Sequence, residues 1–414
     1  MTEKWHKLKW QKLLVLIGLV SFLYTCIEPI PATIGEDSNS LLVVDALISD
    51  EYINYQVQLS RSLSNIDQEV VPETGATVSV EDDRGVIANF TETEDGLYES
   101  NRDLFQGVPG RSYTLHIRTK NGNIYVSDPC VMTKPSSVDS IYYIPGNDPD
   151  SVAENSFTGL RLFVDGHADD NEIEYLRWTY KEDWKFAIPF GNEVEVPLPD
   201  GGWEPYEPRK YCWKSDVSHD INILAFSSQS EKSVKDKELF FIDSKNTDKL
   251  VQRYSVLVRQ YSISKEEYEF WRKLEESNTN VGNIFGEQPY TIRGNVKNIT
   301  NPDEQVLGYF SVGGCATRRL YIDNAEIRPY RLPYDDYYNS CTFDSLMFNE
   351  LNMSIYEVYE NYVLNDFYNY DLAFYILESH SMSTRPIGLA VSTPQCCDCS
   401  LQGDLNKPDF WEDQ

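Results

Sequence analysis

Histidine is scarce in this sequence, and the motifs that usually mark an enzyme are missing. The chain has 414 residues but only five histidines, and none of them lies in a His-Glu-x-x-His metal motif. A Gly-x-Ser-x-Gly nucleophile motif and a glycine-rich phosphate-binding loop are also absent. Carboxylates are numerous enough that spacing alone does not exclude a glycosidase pair, but we predict no enzyme, no metal site and no cofactor. The histidines outside the N-terminal segment are His116, His167, His219 and His380.

Basic residues are far fewer than acidic residues in this sequence. The chain has 36 basic and 66 acidic side chains, which gives a net charge of −30. Removal of residues 1–25 would take away four lysines and one glutamate, leaving 32 basic and 65 acidic side chains and a net charge of −33. A surface this acidic repels phosphate backbones and anionic lipid headgroups. The composition therefore excludes nucleic acid as a partner, whereas cations and neutral sugars remain compatible with it.

Long apolar runs are confined to the N-terminus. Four lysines precede the apolar run from Leu13 to Tyr24, and Cys26 follows directly after Thr25. This order is typical of a secretory signal, and the run is shorter than the roughly 20 apolar residues that span a bilayer. We predict a lipoprotein signal peptide over 1–25, acylation of Cys26, and a lipidated tether over 26–40 that holds the protein at the outer membrane. The alternative is an uncleaved anchor or an ordinary signal with a chance cysteine.

The rest of the chain has the pattern of a β protein with two domains. Short alternating segments and an Asn121-Gly122 hairpin turn predict an Ig/transthyretin-like β-sandwich over 41–135. A larger β-rich domain is predicted over 136–414. Capping boxes at Ser264–Glu267 and Ser354–Glu357 predict helices near 265–276 and 355–365 inside that domain. The predicted fold class is therefore mainly β, with helical insertions in the second domain.

The cysteines predict disulfides. A chain with eight cysteines suits an oxidising compartment, and acylation of Cys26 would leave seven, so at least one stays unpaired. The tail cluster is expected to bond to Cys212, Cys315 or Cys341, although a metal site is the alternative, and the connectivity stays open. The seven candidates are Cys130, Cys212, Cys315, Cys341, Cys396, Cys397 and Cys399.

An aromatic segment rich in proline and glycine predicts a binding surface. It runs from Trp184 to Trp213, and its prolines and glycines prevent one long regular strand. Exposed rings mark partner or sugar surfaces, and Trp203 is the expected anchor. The alternative is that these rings only cap the sandwich, and a tyrosine-rich stretch from Tyr330 to Tyr338 has the same ambiguity. The predicted surface residues are Trp184, Phe190, Trp203 and Tyr206.

Several motifs, in order along the chain, resemble a known family. They include Leu42-Val-Val-Asp-Ala-Leu-Ile-Ser-Asp50, Gly75-Ala-Thr-Val78, Gly308-Tyr-Phe310 and the ending Lys407-Pro-Asp-Phe-Trp411. With the signal and Cys26, they resemble Bacteroidota lipoproteins that carry the domain of unknown function 4249. The resemblance implies an outer-membrane, surface-exposed lipoprotein, often partnered with a TonB-dependent receptor barrel, and it transfers no catalytic residues. The extra Cys396 and the pair Gly403-Asp404, where two glycines are expected, depart from the pattern.

Together these features predict a non-catalytic lipoprotein that acts as a binding or accessory subunit beside a TonB-dependent barrel. Its expected contacts are the membrane through the lipid, the barrel, and a glycan or peptide ligand. One alternative is a free-standing adhesin or glycan-binding lipoprotein on the cell surface. Another is a secreted hydrolase of unfamiliar type, and attachment at the periplasmic face is a further alternative for its location.

Overall fold

The computed structural model describes residues 40–412, apart from 63–69, 148–156, 169, 171, 192–193, 207–208, 228–231, 281–291, 334–340, 366–368 and 378–385. Cys26, the predicted signal peptide and nearly all of the predicted tether therefore lie outside the described residues. The protein is mainly β, as its sequence predicts. Within the part of the chain that the structure describes, no helix is long and apolar enough to cross a membrane.

The first sandwich is an eleven-stranded sheet that folds around one hydrophobic core. Its strands bury alternate side chains, as β1 does with Leu42, Val44, Ala46 and Ile48, because successive side chains of a strand point to opposite faces. Numbered along the chain, its strands are β1 Leu42–Ile48, β2 Gln56–Arg61, β3 Val71–Pro72, β4 Thr77–Asp82, β5 Ile87–Glu94, β6 Leu97–Glu99, β7 Ser112–Arg118, β8 Ile124–Ser127, β9 Cys130–Val131, β19 Val296–Asn298 and β20 Leu307–Val312.

Two strands of this sheet come from far along the chain. β20 pairs in parallel with β1, and β19 pairs with β8, although the sequence analysis assigns residues 296–312 to the second domain. Gly308 permits the β1–β20 contact, since its φ is +84° and a Cβ there would lie 1.9 Å from the carbonyl oxygen of Val44. The first sandwich thus extends beyond the predicted 41–135 segment, because a parallel partner leaves no local signal at the strand it joins.

A second sandwich packs two sheets face to face. A three-stranded sheet, β10–β11–β17, covers one face of a larger sheet with the order β15–β12–β18–β21. In the larger sheet β16 also pairs with β12. Trp178, Phe186 and Tyr254 lie fully buried between them. The strands are β10 Ser137–Gly146, β11 Gly159–His167, β12 Tyr175–Ala187, β15 Tyr211–Val217, β16 Asn222–Ala225, β17 Ser233–Asp243, β18 Arg253–Ile263 and β21 Gly314–Asp323.

A helix and a buried ion pair join the two sandwiches. Helix α1, Lys265–Asn280, begins after Ser264, whose hydroxyl accepts a hydrogen bond from the Glu267 amide at 3.1 Å. The Glu267 carboxylate is buried 3.7 Å from the Arg177 guanidinium of β12. Arg177 in turn lies 3.7 Å above the centre of the Trp271 ring. Nearby, Arg259 of β18 pairs with Glu51 of the first sandwich at 3.2 Å.

The C-terminal residues add a small layer beside the second sandwich. A three-stranded sheet, β22–β24–β23, packs against α4 and the hairpin β13–β14. At Ser354 both hydrogen bonds of the capping box form. The elements are β13 Val194–Pro197, β14 Trp203–Tyr206, β22 Asp344–Met347, β23 Asp371–Leu377, β24 Pro386–Ser392, α2 Asn324–Ile327, α3 Phe348–Leu351, α4 Ile355–Tyr362 and α5 Pro394–Cys397, with 3-10 turns at Arg328–Tyr330 and Cys399–Leu401.

Candidate functional site

Two disulfides fix the C-terminal cysteine cluster to the body. Cys212 bonds to Cys399 and Cys341 bonds to Cys396, with Cα–Cα distances of 5.7 and 5.8 Å. Cys397 is a free, buried thiol, and burial raises its pKa to about 12. The tail is thus linked to the second domain as predicted. Among the described residues no group of three or more side chains is placed to hold a metal ion. The other free cysteines are Cys130 and Cys315.

After these disulfides the tail crosses the second sandwich. We call residues 402–411 the strap. Its Asp404 exchanges two backbone hydrogen bonds with Trp213 of the edge strand β15, at 2.8 and 2.9 Å. The neighbouring residue Gly403 has no room for a side chain, because a Cβ there would lie 2.6 Å from the Phe186 ring and 2.7 Å from the Trp213 carbonyl oxygen. At the far end of the strap, Tyr321 of β21 donates to the Phe410 carbonyl oxygen at 2.8 Å.

A row of side chains with incomplete hydrogen bonding lies near the strap. Trp213, Lys185, Arg253 and Asp323 occupy one row across four neighbouring strands, so they share one face of the sheet. Trp411 packs edge-to-face on Trp213, with ring centroids 6.3 Å apart. Four polar atoms of this region are buried without a hydrogen-bond partner in the described protein: Trp213 Nε1, Trp411 Nε1, Arg253 Nε and Asp323 Oδ2. Such groups are costly to leave unpaired.

An open groove of about 760 Å³ lies between the strap and the edge of β15. We call it the strap groove. Its size falls within the range of small-molecule sites. The groove brings Trp184 and Trp213 together, the two ends of the aromatic segment singled out in the sequence. The remaining lining residues are Lys214, Ser215, Gln402, Gly403, Asp404, Asn406, Lys407, Pro408 and Asp409.

Ion pairs hold the walls of the strap groove. Lys214 Nζ lies 2.7 Å from Asp248, whose other carboxylate oxygen accepts a 2.8 Å hydrogen bond from Trp184 Nε1. Beside the disulfides, Asp398 pairs with Arg209 at 2.5 Å. Burial raises the pKa of Asp398, but hydrogen bonds from Ser400 and Arg209 outweigh this, so the pKa lies below its ordinary value. The carboxylates of Asp248 and Asp398 thus act as fixed structural anchors.

The predicted surface residues separate in the structure. Trp203 is 42% exposed and packs edge-to-face on Tyr375, with ring centroids 5.6 Å apart. Phe190 is half-buried against Phe343 and Phe374. For Trp184 the surface prediction is wrong, because its ring is only 7% exposed and belongs to the core, with one edge at the groove. The side chain of Tyr206 and residues Tyr334, Tyr337 and Tyr338 lie outside the described residues.

A second, smaller cavity of about 350 Å³ opens beside β12 and β17. Its wall contains Tyr180 and Phe240, whose rings stack with centroids 3.9 Å apart. Tyr180 donates to Asp220 at 2.7 Å, and Lys249 pairs with Glu182 at 2.7 Å. These ionic groups are therefore engaged with neighbouring side chains.

The sequence does not predict that the strap forms one wall of a site. The 3-10 turn and strap have no helical or strand period, so their place depends on the Cys212–Cys399 bond between residues 187 positions apart. One signal was present in the sequence. The tail cysteines predict bonds to Cys212, Cys315 or Cys341, and such bonds tie the tail to the second domain.

One protein-family model matches the chain over residues 27–319, and its description is "Domain of unknown function (DUF4249)". The matched segment includes the first sandwich and the strands of the second, and it ends within β21. The strap lies beyond it. A search of curated proteins found no match.

Proposed function

Because the chain belongs to the DUF4249 family, whose description assigns no activity, we propose a function from its own residues and architecture. It is an outer-membrane lipoprotein, anchored through Cys26 and exposed at the cell surface. It captures a ligand without chemical turnover, as an accessory subunit of a TonB-dependent receptor barrel. The observation that carries this proposal is the position of the strap groove relative to the tether.

The described chain begins in the first sandwich, whereas the groove lies in the second sandwich, beyond the joint between them. The tether enters at the start of β1, and β1 leads away from it to the joint with the second sandwich, where Glu51 meets Arg259. From Arg177 at that joint, β12 runs on for eight residues to Lys185 beside the strap, which is about 26 Å at the usual rise of a strand. A lipid at Cys26 would therefore be joined to the first sandwich, the one that does not contain the groove.

The residues of the groove favour binding over catalysis. Lys214, one of its two lysines, is already paired with Asp248, and the described histidines lie elsewhere, on exposed strand faces and turns. His116 lies 3.4 Å from Glu81, and His167 pairs with Asp139. A general acid or base has to reach the reacting atom, and these histidines do not line the groove. Capture of a ligand needs only shape and hydrogen bonds.

Isolation of the native complex tests the proposal. The full chain, tagged at its C-terminus, is purified from solubilised membranes, and the proteins that come with it are identified by mass. We expect a barrel in stoichiometric amount. Trp203→Ala should weaken this capture with little change in melting temperature, because Trp203 is 42% exposed. Tyr52→Ala removes a ring that is 56% exposed on the first sandwich and is the matched control.

Two results would contradict the proposal. If the full chain purifies alone under conditions that preserve other membrane complexes, it has no barrel partner, and a free-standing adhesin becomes the better description. If Trp203→Ala lowers the melting temperature strongly but leaves capture intact, Trp203 is a structural residue.

A further inference from the structure

We propose that the ligand of the strap groove is a neutral saccharide. This inference rests on the binding role proposed above and specifies its ligand. It follows from three properties of the groove: the chemistry of its lining, its charge, and the way in which the strap uses the edge of β15.

The lining combines rings with uncharged hydrogen-bonding groups. Trp184 and Trp213 provide apolar surface, while Ser215, Gln402 and Asn406 provide hydroxyl and amide groups. A pyranose presents the same combination, with C–H groups on its faces and hydroxyl groups around its rim. Indole rings suit such amphipathic ligands because they have an apolar body and one polar N–H. Trp213 is half-buried and lines the groove, so part of its indole ring is accessible to a ligand there.

The charges near the groove disfavour an anionic ligand. Lys214 is neutralised by Asp248 at 2.7 Å, and in the rest of the lining the two carboxylates of Asp404 and Asp409 outnumber the one cation, Lys407. The whole chain has a net charge of −30, which lowers the local concentration of anions. An uncharged ligand avoids this repulsion.

The edge of β15 disfavours a peptide that binds as an added strand. Trp213 directs both its N–H and its C=O to Asp404 of the strap. In an antiparallel pair, alternate residues direct these groups to the same side, so Tyr211 remains alone on one side of the strap contact and only Ser215 and Val217 remain on the other side in β15. Strand addition gains its affinity from a row of main-chain hydrogen bonds, and two residues provide too few. The strap therefore occupies the positions that an added peptide strand would need.

A binding experiment on the purified full-length protein in detergent tests the inference. The probes are neutral oligosaccharides of four to six glucose, mannose, xylose or galactose units, an oligouronate of the same length, and a pool of unstructured peptides. Calorimetry and tryptophan fluorescence report binding. We expect at least one neutral oligosaccharide to bind, and Asn406→Trp, which fills the groove from an exposed position, to weaken it by about tenfold or more.

Asn246→Trp is the matched control. Asn246 is also an exposed turn asparagine whose amide donates to a nearby aspartate, but it lines the second cavity. It should leave binding unchanged. The inference is overturned if only the oligouronate or the peptides bind, if no probe binds, or if Asn246→Trp rather than Asn406→Trp abolishes binding. None of these results affects the barrel co-purification, so failure of the saccharide inference is distinguishable from failure of the proposed function.

Discussion

At the scale of single residues, the strap depends on a few close contacts. Gly403 lets the chain pass between the Phe186 ring and the Trp213 backbone, and Asp398 accepts hydrogen bonds from Ser400 and Arg209 beside the disulfides. Both positions hold one wall of the groove without belonging to a regular element. Substitutions there should change the strap first and the sandwich core much less.

Gly403→Ala should loosen the strap. The added Cβ would lie 2.6 Å from Phe186 and 2.7 Å from the Trp213 carbonyl oxygen, and overpacking of this kind costs about 1–3 kcal/mol. Gly202→Ala is the control, because its nearest neighbour is the movable Asp200 side chain at 3.0 Å. Thermal unfolding followed by tryptophan fluorescence measures the effect. Equal melting temperatures for the two variants would show that the strap does not pack as described.

Acid should weaken the anchor at Asp398. The folded state lowers the pKa of this carboxyl group, so its contribution to stability is present above the unfolded pKa of about 4 and is lost as the pH falls through the folded value. Asp398→Asn removes the charge. We therefore expect the melting temperatures of wild type and variant to differ at pH 6 and to converge towards pH 3. A difference that stays constant over this range would contradict the role of the charge.

At the scale of elements, the strap and the hairpin β13–β14 are held differently. The strap is attached by a disulfide and by one pair of backbone hydrogen bonds to β15. The hairpin packs on the small C-terminal sheet, where Val196 contacts its core. The strap and the hairpin thus have separate supports, and each can be perturbed without the other.

Loss of the Cys212–Cys399 bond should destabilise the strap more than any single side chain does. A disulfide across a long loop contributes about 2–4 kcal/mol. The double variant Cys212→Ser with Cys399→Ser should therefore melt several degrees lower than wild type, and its strap should become sensitive to limited proteolysis near residue 405. Cys397→Ser changes a free thiol and is the control. A double variant with wild-type resistance to proteolysis would show that the remaining contacts suffice.

At the scale of the whole molecule, the joint lies between the first sandwich, where the described chain begins, and the groove on the second sandwich. The parallel β1–β20 pair and the Arg259–Glu51 and Arg177–Glu267 ion pairs connect the sandwiches. The described chain thus begins in the first sandwich, and the groove lies in the second, at the end of β12 away from the joint. The proposed function therefore depends on attachment at the N-terminus.

Cys26→Ala should release the protein from the membrane. Two acyl chains are enough for stable anchoring, since each buried CH₂ contributes about 0.8 kcal/mol, and without the cysteine no such chains can be attached. Fractionation of cells should then move the variant from the membrane to the soluble fraction, whereas Cys130→Ala should remain bound. An intact mass that shows an unmodified Cys26 in the wild type would refute the anchoring prediction.

Local patterns predicted the elements better than their assembly. The alternation in Leu42–Ile48 and the capping box at Ser354 depend on neighbours within a few residues, and the structure has a strand and a helix there. The surface prediction for Trp184 was wrong because its exposure depends on the packing of two sheets. The prolines and glycines of the Trp184 to Trp213 segment predict a loop. However, β12 continues without a break through Ala187, before the first of these prolines.

The sequence by itself determined the β class, the family and the expectation of an exported, disulfide-bonded protein. These depend on composition, on short periodicities and on motifs, all of which are local. Only the tertiary structure decided that residues 296–312 complete the first sandwich, that Cys212 pairs with Cys399, and that Trp184, Trp213 and the strap form one groove. Each of these joins segments far apart in the chain. Such contacts are selected by the packing of the whole molecule, because pairing and burial depend on which surfaces meet.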